Sequence, residues 1–312
     1  MWRYRRRWGR RIILPADEGE IPLHLYDPRN GDVSLKIEPF SLPGGDAELP
    51  RSNYFTIYWV QEGSGVFWAD FGRYTFAANS LLFLVPYQFA RIVANEEVRG
   101  MSVQFHANFF CIETHHEEVG CNGILFNDLY GYPVVGLDDD HTREFARLLE
   151  DMGRELRGGA LAHSEVLVSY LKIFLVQATR LKLQQQDITH RSAGRAPQEL
   201  SQLQELIETH FRTRHAPADY ADLLHVAPKS LARLVKTHLH KTLTELIRER
   251  ITKQAKWELL HTVKPIKQIA TELGFDDIFY FSRLFKRVTG CSPSFFRDFE
   301  TEIRSGRNLS ML

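Results

Sequence analysis

Two segments of this chain, ADLLHVAPKSLARLVK from Ala221 and ATELGFDDIFYFSRLFK from Ala270, superpose when the second takes one extra residue in its turn. Each begins with Ala, places a turn residue four positions on (His225, Gly274) and follows it with an apolar residue (Val226, Phe275). Each closes on the order apolar, small, Arg, Leu, apolar or aromatic, Lys: LARLVK against FSRLFK. This is the pattern of two short helices meeting at a sharp angle. Ala221 and Ala270 are small where backbones must approach, and the turn residue must tolerate positive φ, which Gly274 does freely and His225 at some strain. Val226, Leu231 and Leu234, and likewise Phe275, Phe281, Leu284 and Phe285, would fasten each second helix to its first. The repeat therefore predicts two helix-turn-helix motifs, at 217–238 and 265–288, each presenting its second helix to the major groove of double-stranded DNA.

The outward positions of the second helices are the candidate reading residues. In the first unit they are Lys229, Ser230, Ala232, Arg233 and Lys236; in the second they are Asp277, Ile278, Phe279, Ser282, Arg283, Lys286 and Arg287. Arginine can bond a guanine edge with two hydrogen bonds, whereas Lys and Ser more often hold phosphates. One such unit alone could equally be a helical hairpin with a solvated basic face. Two units with matching endings favour DNA.

Residues from about 203 to 297 resemble the DNA-binding domain of the AraC/XylS family of transcription regulators. The resemblance is carried by Arg250, Ala255, Leu259-Leu260, Thr262, Ile266, Ile269-Ala270, Gly274-Phe275, Tyr280-Phe281-Ser282-Arg283, Phe285-Lys286, Gly290, Pro293 and Arg297. It implies seven helices with two readers held apart by a long linker helix, here Leu243 to Leu260, and two successive major-groove segments read on one face of the duplex. It also implies activation through contact with RNA polymerase. Two positions depart from the family's usage. Ala232 is smaller than usual at a reading position, and Ile278-Phe279 is more apolar; these residues either read a thymine methyl or are packed.

The 312 residues suit two domains, and 25% charged with 44% hydrophobic residues is the composition of a globular chain, not a disordered or membrane one. No run approaches the ~20 apolar residues of a spanning helix; the most apolar, VLVSYLKIFLV, is broken by Lys172. Arg3, Arg5, Arg6, Arg7, Arg10 and Arg11 open the chain with no apolar cleavage segment behind them, so no secretory signal is expected and a cytoplasmic location is. This basic start is either an arm touching DNA phosphates or a solvated tail. Three cysteines, Cys111, Cys121 and Cys291, do not suggest a disulfide framework. The net charge of zero conceals an asymmetry: residues 198–312 hold 18 Lys/Arg against 14 Asp/Glu, and residues 1–197 hold 21 against 25. The back half is the one suited to a polyanion.

Residues 21 to 106 read as β structure, with strands at Phe55–Gln61, Gly65–Phe71, Leu81–Val85 and Arg99–Phe105. Phe145, Leu148, Leu149, Met152 and Leu156 then mark a helix closed by Gly158-Gly159. A second helix, to about Gln186, carries Val166, Tyr170, Ile173, Phe174, Val176 and Gln177. Its apolar residues cover more than one packing face, which either buries it in its own domain or makes a homodimer interface. The expected fold is α+β and multidomain: a cupin-like β jelly roll with a helical pair, then an all-α domain with two helix-turn-helix motifs. Its boundaries are a basic tail at 1–20, the sensor and dimerisation domain at 21–186, a linker at 187–197, the DNA-binding domain at 198–300 and a tail at 301–312.

The jelly-roll resemblance rests on YWVQEGSG at 58–65, Phe71 and LLFLVPYQ at 81–88. A small jelly roll can hold a small-molecule effector. Tyr58, Trp59, Trp68, Tyr87 and Gln104 are its candidate pocket residues, with core packing as the alternative. Where cupin enzymes place metal-binding histidines this chain has Pro50-Arg51-Ser52-Asn53 and Tyr87-Gln88-Phe89, so no metal or other cofactor is expected. His106, Cys111, His115, His116 and Cys121 are chemically suited to a divalent ion, though their spacing matches no usual zinc pattern; a connecting loop is the simpler reading. With no phosphate loop, nucleophile elbow or metal triad in sight, the expected function is an effector-controlled transcription regulator and not an enzyme. A ligand-independent regulator and a cupin enzyme fused to a DNA-binding domain are the competing readings.

Overall fold

The structure is a computed structural model that describes residues 23–112, 123–126, 128–158, 161–192 and 197–304. The arginine-rich start, His115, His116, Cys121, residues 193–196 and the end after 304 lie outside the described residues.

The front half is built on two antiparallel sheets. The larger contains β2 (Leu35–Leu42), β5 (Phe55–Glu62), β8 (Ser80–Leu84), β10 (Val98–Phe105) and β11 (Val134–Gly136), in the order β11-β8-β5-β10-β2. The smaller contains β3 (Gly45–Leu49), β6 (Gly65–Ala69), β7 (Gly72–Phe76) and β9 (Ala90–Ala94), in the order β3-β9-β6-β7. A short parallel pair, β1 (Leu23–His24) with β4 (Arg51–Ser52), lies at the edge facing the back half. The stretch expected as one strand from Gly65 to Phe71 is a hairpin instead, because Asp70 takes a left-handed φ of 48° and turns the chain.

The larger sheet is covered on both faces, which explains why FTIYWV reads as a continuous apolar run and not an alternating one. Tyr58 and Val60 point to the smaller sheet, where they pack with Phe67, Tyr74, Leu82 and Ile92. Phe55, Ile57 and Trp59 point the other way, onto two helices. These are α1 (Asp139–Gly158) and α2 (His163–Ser192), whose contact centres on Phe145 and Phe174 with ring centroids 4.6 Å apart. On α2 the buried stripe is Leu167, Leu171, Phe174, Leu175, Ala178 and Leu181. Val166, Tyr170 and Val176 are only partly buried and Ile173 is exposed, so much of the sequence pattern expected to pack lies on the flank of this helix.

The back half is helical: α3 (Pro197–His210), α4 (Pro217–Leu223), α5 (Pro228–Leu239), α6 (Leu243–His261), α7 (Ile266–Glu272), α8 (Ile278–Thr289) and α9 (Pro293–Arg304). Helix α6 starts at a capping box in which Thr242 and Glu245 satisfy each other's backbone amides. It runs through the middle of one core, burying Leu246, Ile247, Ile251, Ala255 and Leu259. Two residues of the front half, Leu23 and Tyr87, belong to that same core. Tyr87 holds a left-handed φ of 65°, sets its ring 5.0 Å from Phe296 and donates its hydroxyl to Glu300. Glu300 also accepts from Asn53 Nδ2 at 3.1 Å and from Arg304 Nε at 3.1 Å. The two halves are therefore joined by packing and by a buried carboxylate.

Candidate nucleic-acid interface

The repeat in the sequence is a repeat in hydrogen bonds. In the first unit Val226 N donates to Ala221 O at 3.0 Å and His225 N to Asp222 O at 3.1 Å; in the second, Phe275 N donates to Ala270 O at 2.9 Å and Gly274 N to Thr271 O at 3.0 Å. His225 and Gly274 both take left-handed backbone, with φ of 56° and 82°. Gly274 is required twice over, because a Cβ there would stand 2.3 Å from the carbonyl oxygen of Arg212. Ala221 and Ala270 are buried at the crossing, as small residues at a close approach should be. Pro228 opens α5 at a position where its missing N–H costs nothing, and Asp277 caps α8 by accepting from Phe279 N at 2.7 Å.

One face of each second helix is buried and the other is bare. Leu231, Val235 and Leu239 fasten α5; Phe281, Phe285 and Val288 fasten α8. On the outward face of α5, Lys229, Ser230, Ala232, Arg233 and Lys236 are exposed. On that of α8, Asp277, Phe279, Arg283, Lys286 and Arg287 are exposed and Ser282 is half-buried. Ile278 is only partly exposed and packs against the core. Asp277 stands 3.7 Å from Arg283 Nη2 through its second carboxylate oxygen. Tyr280, beside Phe279, is half-exposed as well.

Other residues behind the resemblance hold the helices together. Arg250 lies over the Phe211 ring at 3.9 Å and pairs with Glu208 at 2.7 Å, and Arg297 Nε donates to Leu259 O at 3.1 Å. Buried Glu258 gathers Arg212, Gln254 and Lys264 at the end of α6.

The five candidate pocket residues do not converge. Tyr58 faces the space between the sheets, and Gln104 shares that face by strand alternation. Trp59 points to the helical pair. Trp68 lies on the outer face of the small sheet beneath Arg91, 5.1 Å away, and Tyr87 is in the core of the other half. Tyr87 does border a cavity of about 330 Å³ between the halves, with Phe55, Phe126, Trp257, Leu260 and Phe296 among its apolar walls. Asp70, Lys241, Glu249 and Lys256 are among its charged lining residues. Burial and the nearby Asp70 push the Glu249 carboxyl up to about 7 against the pull of Lys241, whose Nζ is 2.7 Å away. Burial lowers the Lys256 ammonium, which donates to Pro86 O at 2.8 Å. Only the fold brings these residues together, so no local signal could have found them. Among the described residues no group of His, Cys, Asp or Glu could hold a metal ion, and no helix is long and apolar enough to cross a membrane.

Residues 220–298 match the helix-turn-helix domain family. The chain is 36% identical over 92 residues to the arabinose operon regulatory protein of Salmonella typhimurium, an overlap of 30% of this chain and 31% of that one. It thus spans about a third of that relative's length. The HTH-type transcriptional activator RhaS of Escherichia fergusonii is 24% identical over 288 residues, covering 90% of this chain and 95% of its own. Among solved structures, the C-terminal domain of the response regulator AraT from Geobacillus stearothermophilus is 30% identical with a TM-score of 0.33, over 34% of this chain and 88% of that one. ToxT from Vibrio cholerae is 14% identical with a TM-score of 0.36, over 85% of this chain and 98% of its own.

Proposed function

We propose, from the premise that the chain belongs to the AraC family of transcription regulators, that it reads a specific double-stranded DNA sequence through two helix-turn-helix motifs and controls transcription in response to a small molecule. The observation that carries the DNA reading is the pair of units with matched turns, each leaving an Arg and a Lys at equivalent exposed positions: Arg233 and Lys236, Arg283 and Lys286. The 19-residue helix between them is about 28 Å long. That length suits two readers entering successive major-groove segments ~34 Å apart.

The front half, a cupin-like jelly roll on this reading, is the regulatory part. An effector in the cavity between the halves would touch β5, the loop after β8 and α6 at once, so its affinity would differ between arrangements of the two halves and shift their populations. Homodimerisation through α2 is supported by exposed Ile173 and Leu183 beside half-buried Val166 and Tyr170. Activation, with RNA polymerase as partner, is the mode the resemblance implies, and the relatives named as activators support it. A protein of this kind works in the cytoplasm.

The test is retention of fragments of the source genome by the full-length protein at physiological salt. A small set of fragments enriched far beyond their length share is expected. Retention that simply follows fragment length would contradict sequence-specific reading.

A further inference from the structure

The two reading helices share their second turns but not their first. Aligned on LARLVK and FSRLFK, α5 places Lys229 and Ser230 where α8 places Phe279 and Tyr280. The N-terminal turn of a recognition helix is the part that reaches furthest into the groove. The chain therefore presents a polar tip at one site and an aromatic tip at the other.

Phe279 is 71% exposed, the most exposed aromatic side chain among the described residues that stand free of the core. Its neighbour Ile278 packs inward and Tyr280 leans on Phe275 at a ring distance of 5.9 Å, but among the described residues no ring contact holds Phe279. Its backbone is nonetheless fixed, because Asp277 Oδ1 accepts its N–H. Around it on the same face stand exposed Arg283, Lys286 and Arg287. An exposed apolar ring on a fixed stretch of backbone, set in a cationic rim, suits a partner that is a polyanion outside and carries an apolar group inside. In the major groove that group is the C5-methyl of thymine.

The geometry points to Phe279 as a reader of a thymine methyl in the segment bound by α8, an inference that rests on the DNA-binding reading above. Arg283 lies four residues on, about 6 Å along the helix axis, which is under two base-pair steps. It reads a guanine close to that thymine. Asp277 is a positioning residue and not a reader, since one carboxylate oxygen caps α8 and the other faces Arg283 Nη2 at 3.7 Å. At the equivalent positions α5 carries Lys229 and Ser230, so no aromatic ring stands at the tip of that helix.

The experiment uses the full-length protein and a duplex bearing a site chosen from a random library, with each thymine replaced singly by uracil, which removes only the methyl. Anisotropy titrations of wild type should show one position under α8 where uracil weakens binding several-fold. In Phe279→Ala the same replacement should change nothing, and Phe279→Leu should restore part of the sensitivity. Because Phe279 is exposed, these variants should fold, and the uracil series on wild type is decisive alone. A site indifferent to every uracil, or one equally sensitive in Phe279→Ala, overturns the inference. Failure of the DNA-binding reading would show earlier, as no site enriched from the library.

Discussion

Gly274 and His225 occupy the same place in the two halves of the repeat and face opposite futures under mutation. Ala at 274 would combine positive φ with a Cβ pressed on the Arg212 carbonyl, so Gly274→Ala should cost more than the ~1–3 kcal/mol of backbone strain alone. His225 is exposed and pays the left-handed penalty already, so His225→Gly should stabilise by up to ~1–2 kcal/mol. Thermal denaturation of both variants checks the pair; equal losses would mean the turns are not equivalent. On the reading faces, Arg233→Ala and Arg283→Ala should each cost ~1–3 kcal/mol on the selected site and little on random DNA. Equal losses on both DNAs would demote these residues to phosphate contacts. Residues of this kind were legible in the sequence because a turn imposes its demand locally: Ala, Gly and the apolar lock stand at fixed offsets. Whether Ile278 or Phe279 was packed was not legible, since that depends on which side of α8 meets the core.

The helices tell a different story from their residues. The existence of α1 and α2 could be read from periodicity, but the face that α2 buries could not: Leu167, Leu171, Phe174 and Ala178 face the sheet, and Val166, Tyr170 and Ile173 line its flank. A helix with apolar residues on two sides does not announce which side meets its own domain. If the second side meets another copy, Ile173→Glu should convert a dimer to a monomer in sedimentation at micromolar concentration without altering thermal stability. A wild-type monomer would refute that interface. Helix α9 makes the complementary case. Glu300 is buried, yet the His106 imidazole, Arg304 and the Tyr87 hydroxyl hold its carboxyl at about 2 against the upward push of burial. His106 is depressed below its usual 6.5 by burial, and its Nδ1 accepts from Asn108 N at 3.1 Å, which requires the neutral ring. Both groups bind fewer protons folded than unfolded. The stability these two groups contribute is thus full above 6.5 and falls as the pH drops, first through His106 and then, from the ordinary carboxylate range downward, through Glu300. Melting temperature against pH should fall on the acid side, and His106→Asn should flatten the earlier part of that fall. An unchanged profile in the variant would remove His106 from the account.

At the scale of the whole molecule, the front half is fitted to the back half along the length of the reading apparatus. Tyr130 bonds Glu208 of α3, Tyr132 lies 5.7 Å from His240 at the end of α5, Lys256 of α6 bonds Pro86, and Arg51 bonds Val288 O at the end of α8. None of these contacts covers the exposed faces of α5 and α8. On the proposed function, the front half can therefore set how α5 and α8 stand without hiding them. The division into an acidic β part and a basic helical part was readable from charge and periodicity. The cavity and the Tyr87 contact were not, because residues more than a hundred positions apart make them and neither segment carries a mark of the other. The central claim, that one chain reads two groove segments, is tested most directly by selecting bound sequences from a random DNA library with the full-length protein at a stated salt concentration. A motif of two boxes one helical turn apart, the second of them losing its information content in Arg283→Ala while the first persists, is the result this account predicts. A single box, or no enrichment at all, would contradict it.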